Sequence, residues 1–371
     1  MKVAFFLGSL NRGGTETLVL DTLRGQSSAP FESILIYRND GDLTEEYQLT
    51  GVKMFRVKPN RTRIGGYINQ LRKILKREKV DVIHTQTLLN ALLGLFCVCF
   101  SHVRLVASFH GLFTSFMRCV SSHIVLWFAD ASVFVSGYEM EWYFRHTIFA
   151  PRKRCHVVCN GIDCNKLLQR YPVPDFLEKG CSAKPGNCVR LAMVGNFGRG
   201  RSQFFLCKCL KRLTENGSRC FQFFFVGKRS LSEPERYDEC VRYCQENGLS
   251  DSVVFLGSRS DVPAILQYMD GFVYASENDS FGIAVVEAMV AGLPVIVNDW
   301  DVMKEITNNG QWATLYKTND VKDCVSKIEE LIEHVSSWKR KAESTVEAVM
   351  QRFSIGSHIE NLNRVYEASC I

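Results

Sequence analysis

Short apolar runs rich in Val, Ile and Phe alternate along the chain with longer stretches whose apolar residues recur at helical spacing. That alternation predicts parallel sheets joined by crossover helices. In the first half the runs predict strands at residues 3–7, 33–37, 54–57, 80–85, 104–109, 132–136 and 155–159. From 167 to 187 the rhythm breaks at Pro172, Pro174, Pro185 and Gly186, the composition of a linker. A second series follows, with strands at 189–194, 222–226, 253–256, 271–275, 294–297 and 314–316. The pattern therefore predicts a first domain over 1–170 and a second over 186–352, with a last helix at about 353–371 returning to the first.

Length and composition fit this picture: 371 residues with 46% apolar content suffice for two cores. The net charge of +6 is modest but unevenly placed, with ten Lys or Arg residues and one acid, Glu78, from Lys53 to Lys79. Such a run is usually a solvated helix face, and it also suits anionic lipid headgroups or an acidic substrate. Tyr67, Ile68, Leu71, Ile74 and Leu75 give the same segment an apolar side. Fifteen cysteines lack the doublets and histidine spacing of a zinc site, so reduced thiols in a cytoplasmic protein are the simplest account. The opening MKVAFFLGSL runs straight into Asn11-Arg12-Gly13-Gly14, which reads as a first strand and its loop rather than a signal peptide. Residues 88–100 form an apolar run too short to span a bilayer and read as a buried helix. A lesser alternative has this helix and the apolar segment 112–128 touching a membrane surface.

The chemistry concentrates in ENDSFGIAVVEAMVAGLPVIV, residues 277–297. Asp279 lies in a polar loop, Phe281-Gly282 opens a helix, and Glu287 sits about five residues inside it, roughly 7 Å further on at ~1.5 Å per residue. The free N–H groups of a helix start suit a phosphate, and Glu287 suits a pair of ribose hydroxyls. The neighbouring Ile283, Val285, Val286 and Met289 are equally at home in the core of any α/β protein; a carboxylate in so apolar a run is the exception. Two glycine loops follow first strands. Gly13-Gly14-Thr15-Glu16 lacks the dinucleotide pattern GxGxxG, and Gly195-Asn196-Phe197-Gly198-Arg199-Gly200-Arg201 carries two arginines suited to a diphosphate. The first is also compatible with an ordinary strand-to-helix turn, and the second with the arginines common in surface loops. His110-Gly111 leaves another predicted strand, placed to meet a sugar hydroxyl, and Arg259 near Asp261 is a candidate base contact unless Asp261 is a helix cap.

Taken together, Asp279 and Glu287 with Phe281-Gly282 and the EAMVAGLPVIV continuation, Asn160-Gly161-Ile162-Asp163, Gly13-Gly14-Thr15-Glu16 and the Gly195 loop resemble the retaining glycosyltransferases of family 4, of the bacterial surface-polysaccharide type. The resemblance implies the GT-B fold: two Rossmann-like α/β domains with parallel sheets facing across a cleft. It implies that Glu287 binds the donor ribose, that Asp279 contacts the transferred sugar with backbone N–H groups of Phe281 and Gly282 assisting, and that Ser280 and Ile283 also belong to the donor site. Arg201 stands where the family has a phosphate-binding lysine. Gly14, Asn196, Arg199 and Arg259 complete the donor contacts, and Gly13, Thr15, Glu16 and His110 lie on the acceptor side. Asp279, Arg201, Glu287 and His110 are thereby the implied catalytic set. Three departures stand out: Asp279 replaces a glutamate, Asn196 an arginine that Arg199 is placed to substitute, and Trp300-Asp301 occupy positions where glycines are frequent.

The activity so implied is metal-independent and cofactor-free transfer of a hexose from a nucleotide sugar, UDP-linked by preference, to a glycan or lipid-linked glycan, with retention. It belongs to cell-surface polysaccharide synthesis, without nucleic-acid partners, in the cytoplasm or peripherally at the inner face of the membrane. A nucleotide-sugar epimerase and a catalytically inactive nucleotide-sugar-binding protein are the competing expectations.

Overall fold

The computed structural model describes residues 1–58, 64–112, 115–147, 150–179, 188–217 and 220–370. Residues 180–187 of the linker, 113 and 114 of the apolar segment, and Arg61 and Arg63 of the basic run lie outside the described residues. The chain divides into two compact units, Met1–Ile162 with Phe353–Ile371, and Asp163–Arg352. The first unit thus ends at Ile162, ahead of residue 170.

In the first unit the strands are β1 (Lys2–Ser9), β2 (Glu32–Asn39), β3 (Lys53–Arg56), β4 (Val82–Thr85), β5 (Arg104–Phe109), β6 (Ala131–Phe134) and β7 (Cys155–Val157). They form one parallel sheet in the order β3-β2-β1-β4-β5-β6-β7. Both faces are covered, which is why the central strands are buried along most of their length instead of alternating. The pleat divides them between two cores: Ala4, Phe6, Ile34 and Ile36 face one, and Val3, Phe5, Leu7 and Leu35 the other.

The helices of this unit are α1 (Gly14–Arg24), α2 (Thr44–Gln48), α3 (Ile64–Arg77), α4 (Leu88–Val98), α5 (Phe116–Phe128) and α6 (Gly137–His146). Residues from α3, α4, α5 and α6 fill the first core, and α1 with the C-terminal helix Ile355–Cys370 fills the second. Two expectations change here. Tyr67, Leu71 and Leu75 of α3 are core residues, with Ile68 and Ile74 packed against the same core, so the apolar side of the basic segment is turned inward. Conversely, α4 is not a wholly buried helix: Ala91, Leu93 and Cys97 face the core while Leu89 and Phe96 are exposed.

The second unit carries β8 (Val189–Val194), β9 (Phe221–Val226), β10 (Val253–Gly257), β11 (Gly271–Tyr274), β12 (Val295–Asn298) and β13 (Thr314–Tyr316). These form a parallel sheet in the order β10-β9-β8-β11-β12-β13. Its helices include α7 (Cys164–Leu168), α8 (Asp175–Lys179), α9 (Gln203–Glu215), α10 (Glu235–Glu246), α11 (Val262–Gln267), α12 (Ile283–Val290), α13 (Asp301–Ile306) and α14 (Val321–Glu333). Helix α9 packs on α10 and α14, and α7 packs on α11 and α12. In both sheets the strand order reverses beside the first strand, between β1 and β4 and between β8 and β11. Loops leaving the carboxyl ends of strands at such a switch point form the natural ligand crevice of an α/β sheet.

Candidate active site

In the second unit the switch point lies between the loop that leaves β8 and the loop that leaves β11, and backbone bonds stitch the two together. Arg201 and Ser276 form an antiparallel bridge, Ser202 N donates to Ala275 O at 3.1 Å, and Glu277 N donates to Gly200 O at 3.0 Å. Gly200 has φ +90°, and a Cβ there would lie 2.9 Å from that of Asn278, so this crossing requires glycine. Asn298, buried at the end of β12, fixes the next loop by accepting from Ser276 N at 3.1 Å and donating to Ser276 O at 2.8 Å.

This framework brings Asp279 and Arg201 together. Their side chains form an ion pair, and the second carboxylate oxygen of Asp279 accepts from the Tyr274 hydroxyl at 2.6 Å. The Arg201 guanidinium also lies 5.5 Å from the centre of the Tyr274 ring. Tyr274 is fully buried, and burial pushes its hydroxyl above the ordinary value, so it remains a donor to the carboxylate. The sequence reasoning missed Tyr274: in GFVY it looks like another aromatic core residue. The available signal was that it is the only residue of that strand with a side-chain hydrogen-bonding group.

Phe281 is buried, and Gly282 caps α12 in the left-handed region at φ +97°. A Cβ on Gly282 would meet Met303 Cε at 3.0 Å, so conformation and space both call for glycine. Ser280 and Ile283 flank it, both half-buried, and Glu287 is a half-buried acid on a helix that is otherwise apolar. The helix start and Asp279 are therefore consecutive features of one loop.

The remaining donor-side candidates are placed less uniformly. Asn196 uses its side-chain oxygen to accept from Lys228 N at 2.9 Å, which ties the β8 loop to the one after β9. Arg199 is exposed at the turn, and among the described residues it has no carboxylate partner. Arg259 is held by carboxylates on two sides, bonding both oxygens of Asp261 at 2.8 and 2.6 Å and Asp175 at 2.9 Å. The Asp261 side chain thus makes no cap bond to α11 and serves Arg259. Asp301, after Trp300, opens α13 and pairs with Lys304 at 3.6 Å.

In the first unit, Gly13 is the extended cap of α1, so Gly14, Thr15 and Glu16 form its first turn at the exit of β1. A Cβ on Gly13 would meet the Glu16 carboxylate at 2.6 Å, and burial raises the pKa of that acid. His110 leaves β5 and hydrogen-bonds Gln86 at 2.8 Å. Burial, assisted by nearby His358, pushes His110 down to about 4, so it is neutral at physiological pH. It lines a cavity of about 10 Å³, the size of one water, together with His84, Ser108, Asn160 and His358. Asn160-Gly161-Ile162-Asp163 has a joining role: a Cβ on Gly161 would clash with His358 and Ile355, Ile162 bridges Ser354, and Asp163 caps α7.

Comparison with known proteins agrees with this fold. Residues 12–166 match the profile described as Glycosyltransferase Family 4, and residues 178–346 match Glycosyl transferases group 1. An Escherichia coli UDP-Gal:alpha-D-GlcNAc-diphosphoundecaprenol alpha-1,3-galactosyltransferase is 25% identical over 83% of this chain and 82% of its own length. A Campylobacter jejuni N,N'-diacetylbacillosaminyl-diphospho-undecaprenol alpha-1,3-N-acetylgalactosaminyltransferase is 33% identical over 56% of this chain and 52% of its own. Among solved structures, a glycosyltransferase from Rickettsia africae superposes with a TM-score of 0.85 at 18% identity, covering 99% of this chain and 98% of its own. An Anabaena protein solved with UDP and glucose gives 0.83 at 19% identity and 98% coverage of both chains. With family profiles matching in both units and two parallel-sheet Rossmann-like units of the GT-B type, this chain belongs to the family 4 glycosyltransferases.

Proposed function

We propose that this glycosyltransferase moves a hexose from a UDP-sugar to a hydroxyl of a lipid-linked glycan, with retention and without a metal, in the synthesis of a surface polysaccharide. The observation that carries the reading is the Tyr274–Asp279–Arg201 cluster immediately before the glycine-capped start of α12. Two loops stitched together thereby present an oriented carboxylate, a guanidinium and the N–H groups of a helix start. Those are complementary to sugar hydroxyls and to a diphosphate. Relatives whose names specify UDP-galactose and undecaprenol diphosphate-linked acceptors, and a neighbour solved with UDP and glucose, support the donor and acceptor classes.

In the reaction the bond from the anomeric carbon to the diphosphate oxygen breaks and a bond to the acceptor oxygen forms on the same face. The acceptor proton passes to the departing phosphate oxygen. Negative charge grows on the diphosphate, and Arg201, with Arg199 at the same turn, stabilises it more in the transition state than in the ground state. In this scheme Arg201 turns from Asp279 toward the diphosphate, while Tyr274 keeps Asp279 oriented to the sugar. Glu287 accepts hydrogen bonds from the ribose. In the first unit, Gly13, Thr15, Glu16 and neutral His110 are assigned to the acceptor side, and Gly14 to the donor diphosphate. The protein works in the cytoplasm at the membrane surface; among the described residues no helix is long and apolar enough to cross a membrane.

Donor binding tests the site. UDP titrated into purified protein is expected to bind, and Glu287→Ala is expected to weaken it at least tenfold, the scale of one lost charge-assisted hydrogen bond of about 1.5–3 kcal/mol. Undiminished affinity in that variant would remove Glu287 from the site. Epimerised donor in place of acceptor-dependent UDP release would replace the transferase reading with the epimerase one.

A further inference from the structure

Helices α4 and α5 pack against each other over the first core, and the sides they turn away from it are apolar. On α5 the core takes Val125 and Leu126, whereas Phe116, Met117, Val120, Ile124, Trp127 and Phe128 are all exposed. That spacing, near one and two helical turns, draws a continuous stripe. Leu89 and Phe96 of α4 add to it, and Phe100 lies just beyond the end of that helix. Phe96 is 62% exposed, Phe116 79%, Phe128 71% and Trp127 47%. With Phe100, and at about 150–250 Å² per aromatic side chain, these five rings alone expose on the order of 700 Å². The largest apolar patch of a typical soluble monomer is about 300–600 Å².

Charge narrows the occupant. From Val82 to Ala129 the sequence contains no Asp or Glu, and its only Lys or Arg residues are Arg104 and Arg118. Beside α4 packs α3, whose Arg72 donates to the carbonyls of Phe96 at 2.7 Å and Cys97 at 3.2 Å, fixing the two helices together. Exposed Lys73, Lys76 and Arg77 follow on the same helix. An apolar stripe without acids, flanked by cations, is complementary to a bilayer with anionic headgroups. A second copy of the chain is disfavoured, because a two-fold contact through this face would set like charges against each other.

We propose that the outward face of α4 and α5 docks the protein on a bilayer containing anionic phospholipid, with the aromatic side chains entering the interface and Lys73, Lys76 and Arg118 meeting the headgroups. Docking here deepens the reading of a lipid-linked acceptor and rests on it for its purpose: α5 follows directly on the His110-Gly111 exit of β5. The surface itself is independent of that reading.

The test is co-sedimentation of the full chain with phosphatidylcholine vesicles, with and without about one third phosphatidylglycerol. Binding is expected to the anionic vesicles and to fall with salt. Phe116→Ser with Phe128→Ser is expected to reduce it at least tenfold, and Lys73→Glu with Lys76→Glu to reduce it on anionic vesicles only. UDP affinity is expected to stay unchanged in both double variants, which separates failure of docking from failure of the transferase reading. Should the first pair of substitutions unfold the protein, Met117→Ser with Val120→Ser probes the same stripe. Absence of vesicle binding by the wild-type chain, undiminished binding by the aromatic variant, or a dimer that this variant converts to monomer would overturn the proposal.

Discussion

Asp279 is fixed from two directions, by the cation of Arg201 and by the hydroxyl of buried Tyr274. A shorter acid than the usual glutamate leaves less slack, so its orientation depends on those partners. Tyr274→Phe removes the hydroxyl with little change in shape, so the loss is that of one hydrogen bond to a charged acceptor, about 1.5–3 kcal/mol. Transfer is expected to fall about tenfold or more in kcat/KM with UDP affinity nearly unchanged, measured by steady-state kinetics beside UDP titration. An equal loss of UDP affinity would show that Tyr274 only supports the fold. The sequence made Asp279, Glu287 and Gly282 visible because their chemistry is local to one strand–loop–helix segment. It did not show that Arg201 and Asp279 are partners, because a contact between two loops depends on sheet order. Arg259 teaches the converse: a plausible ligand-binding arginine in sequence is already engaged by Asp261 and Asp175 in space.

At the scale of elements, the alternation of apolar runs located every strand of both sheets, with ends within about two residues. Parallel strands buried on both faces are short continuous apolar runs, a signal that periodicity conveys well. Helix faces were less legible. Helix α3 is apolar on one side and α4 nearly all round, and only the packing shows that α3 turns its apolar side inward while α4 leaves part of its surface open. The C-terminal helix is held against the first sheet by buried polar contacts that no local pattern announces: Tyr366 to His84 at 2.6 Å, and His358 to the Cys159 carbonyl at 2.8 Å. Burial lowers the pKa of His84, and pushes His110 and His358 down to about 4. As pH falls below about 6.5 the unfolded chain takes up these protons and the folded one does not, so stability is lost toward pH 4. Glu139, buried in the first turn of α6 where it accepts from Val135 N, acts in the opposite sense: burial pushes it up to about 8, so its contribution is lost as pH rises from about 4.5 to 8. Three histidines outweigh one carboxylate below pH 6.5. Melting temperatures are therefore expected to drop on acidification from pH 6.5 to 4.5, with a slope on the order of 1–3 kcal/mol per pH unit. His358→Gln is expected to flatten that slope, as followed by circular dichroism; an unchanged slope would mean that this histidine is not buried neutral.

For the whole molecule, two parallel sheets with strand order reversing beside the first strand explain why the chemistry collects where it does. In each unit the candidate residues lie on the loops leaving the carboxyl ends of strands or on the helices those loops enter: Gly13 to Glu16 after β1, His110 after β5, Arg201 after β8, and Asp279 with Glu287 after β11. Family membership follows from profiles that match in both units, while donor, acceptor and stereochemistry belong to the proposal. The most direct test is proton NMR of the product formed from a UDP-α-hexose and an undecaprenol diphosphate-linked acceptor in detergent, with a chelator present throughout. An α-glycosidic product, formed with release of UDP and at least tenfold more slowly with Glu287→Ala, is the expected result. A β-linked product, a strict need for added divalent metal, or product formation undiminished in Glu287→Ala would contradict it.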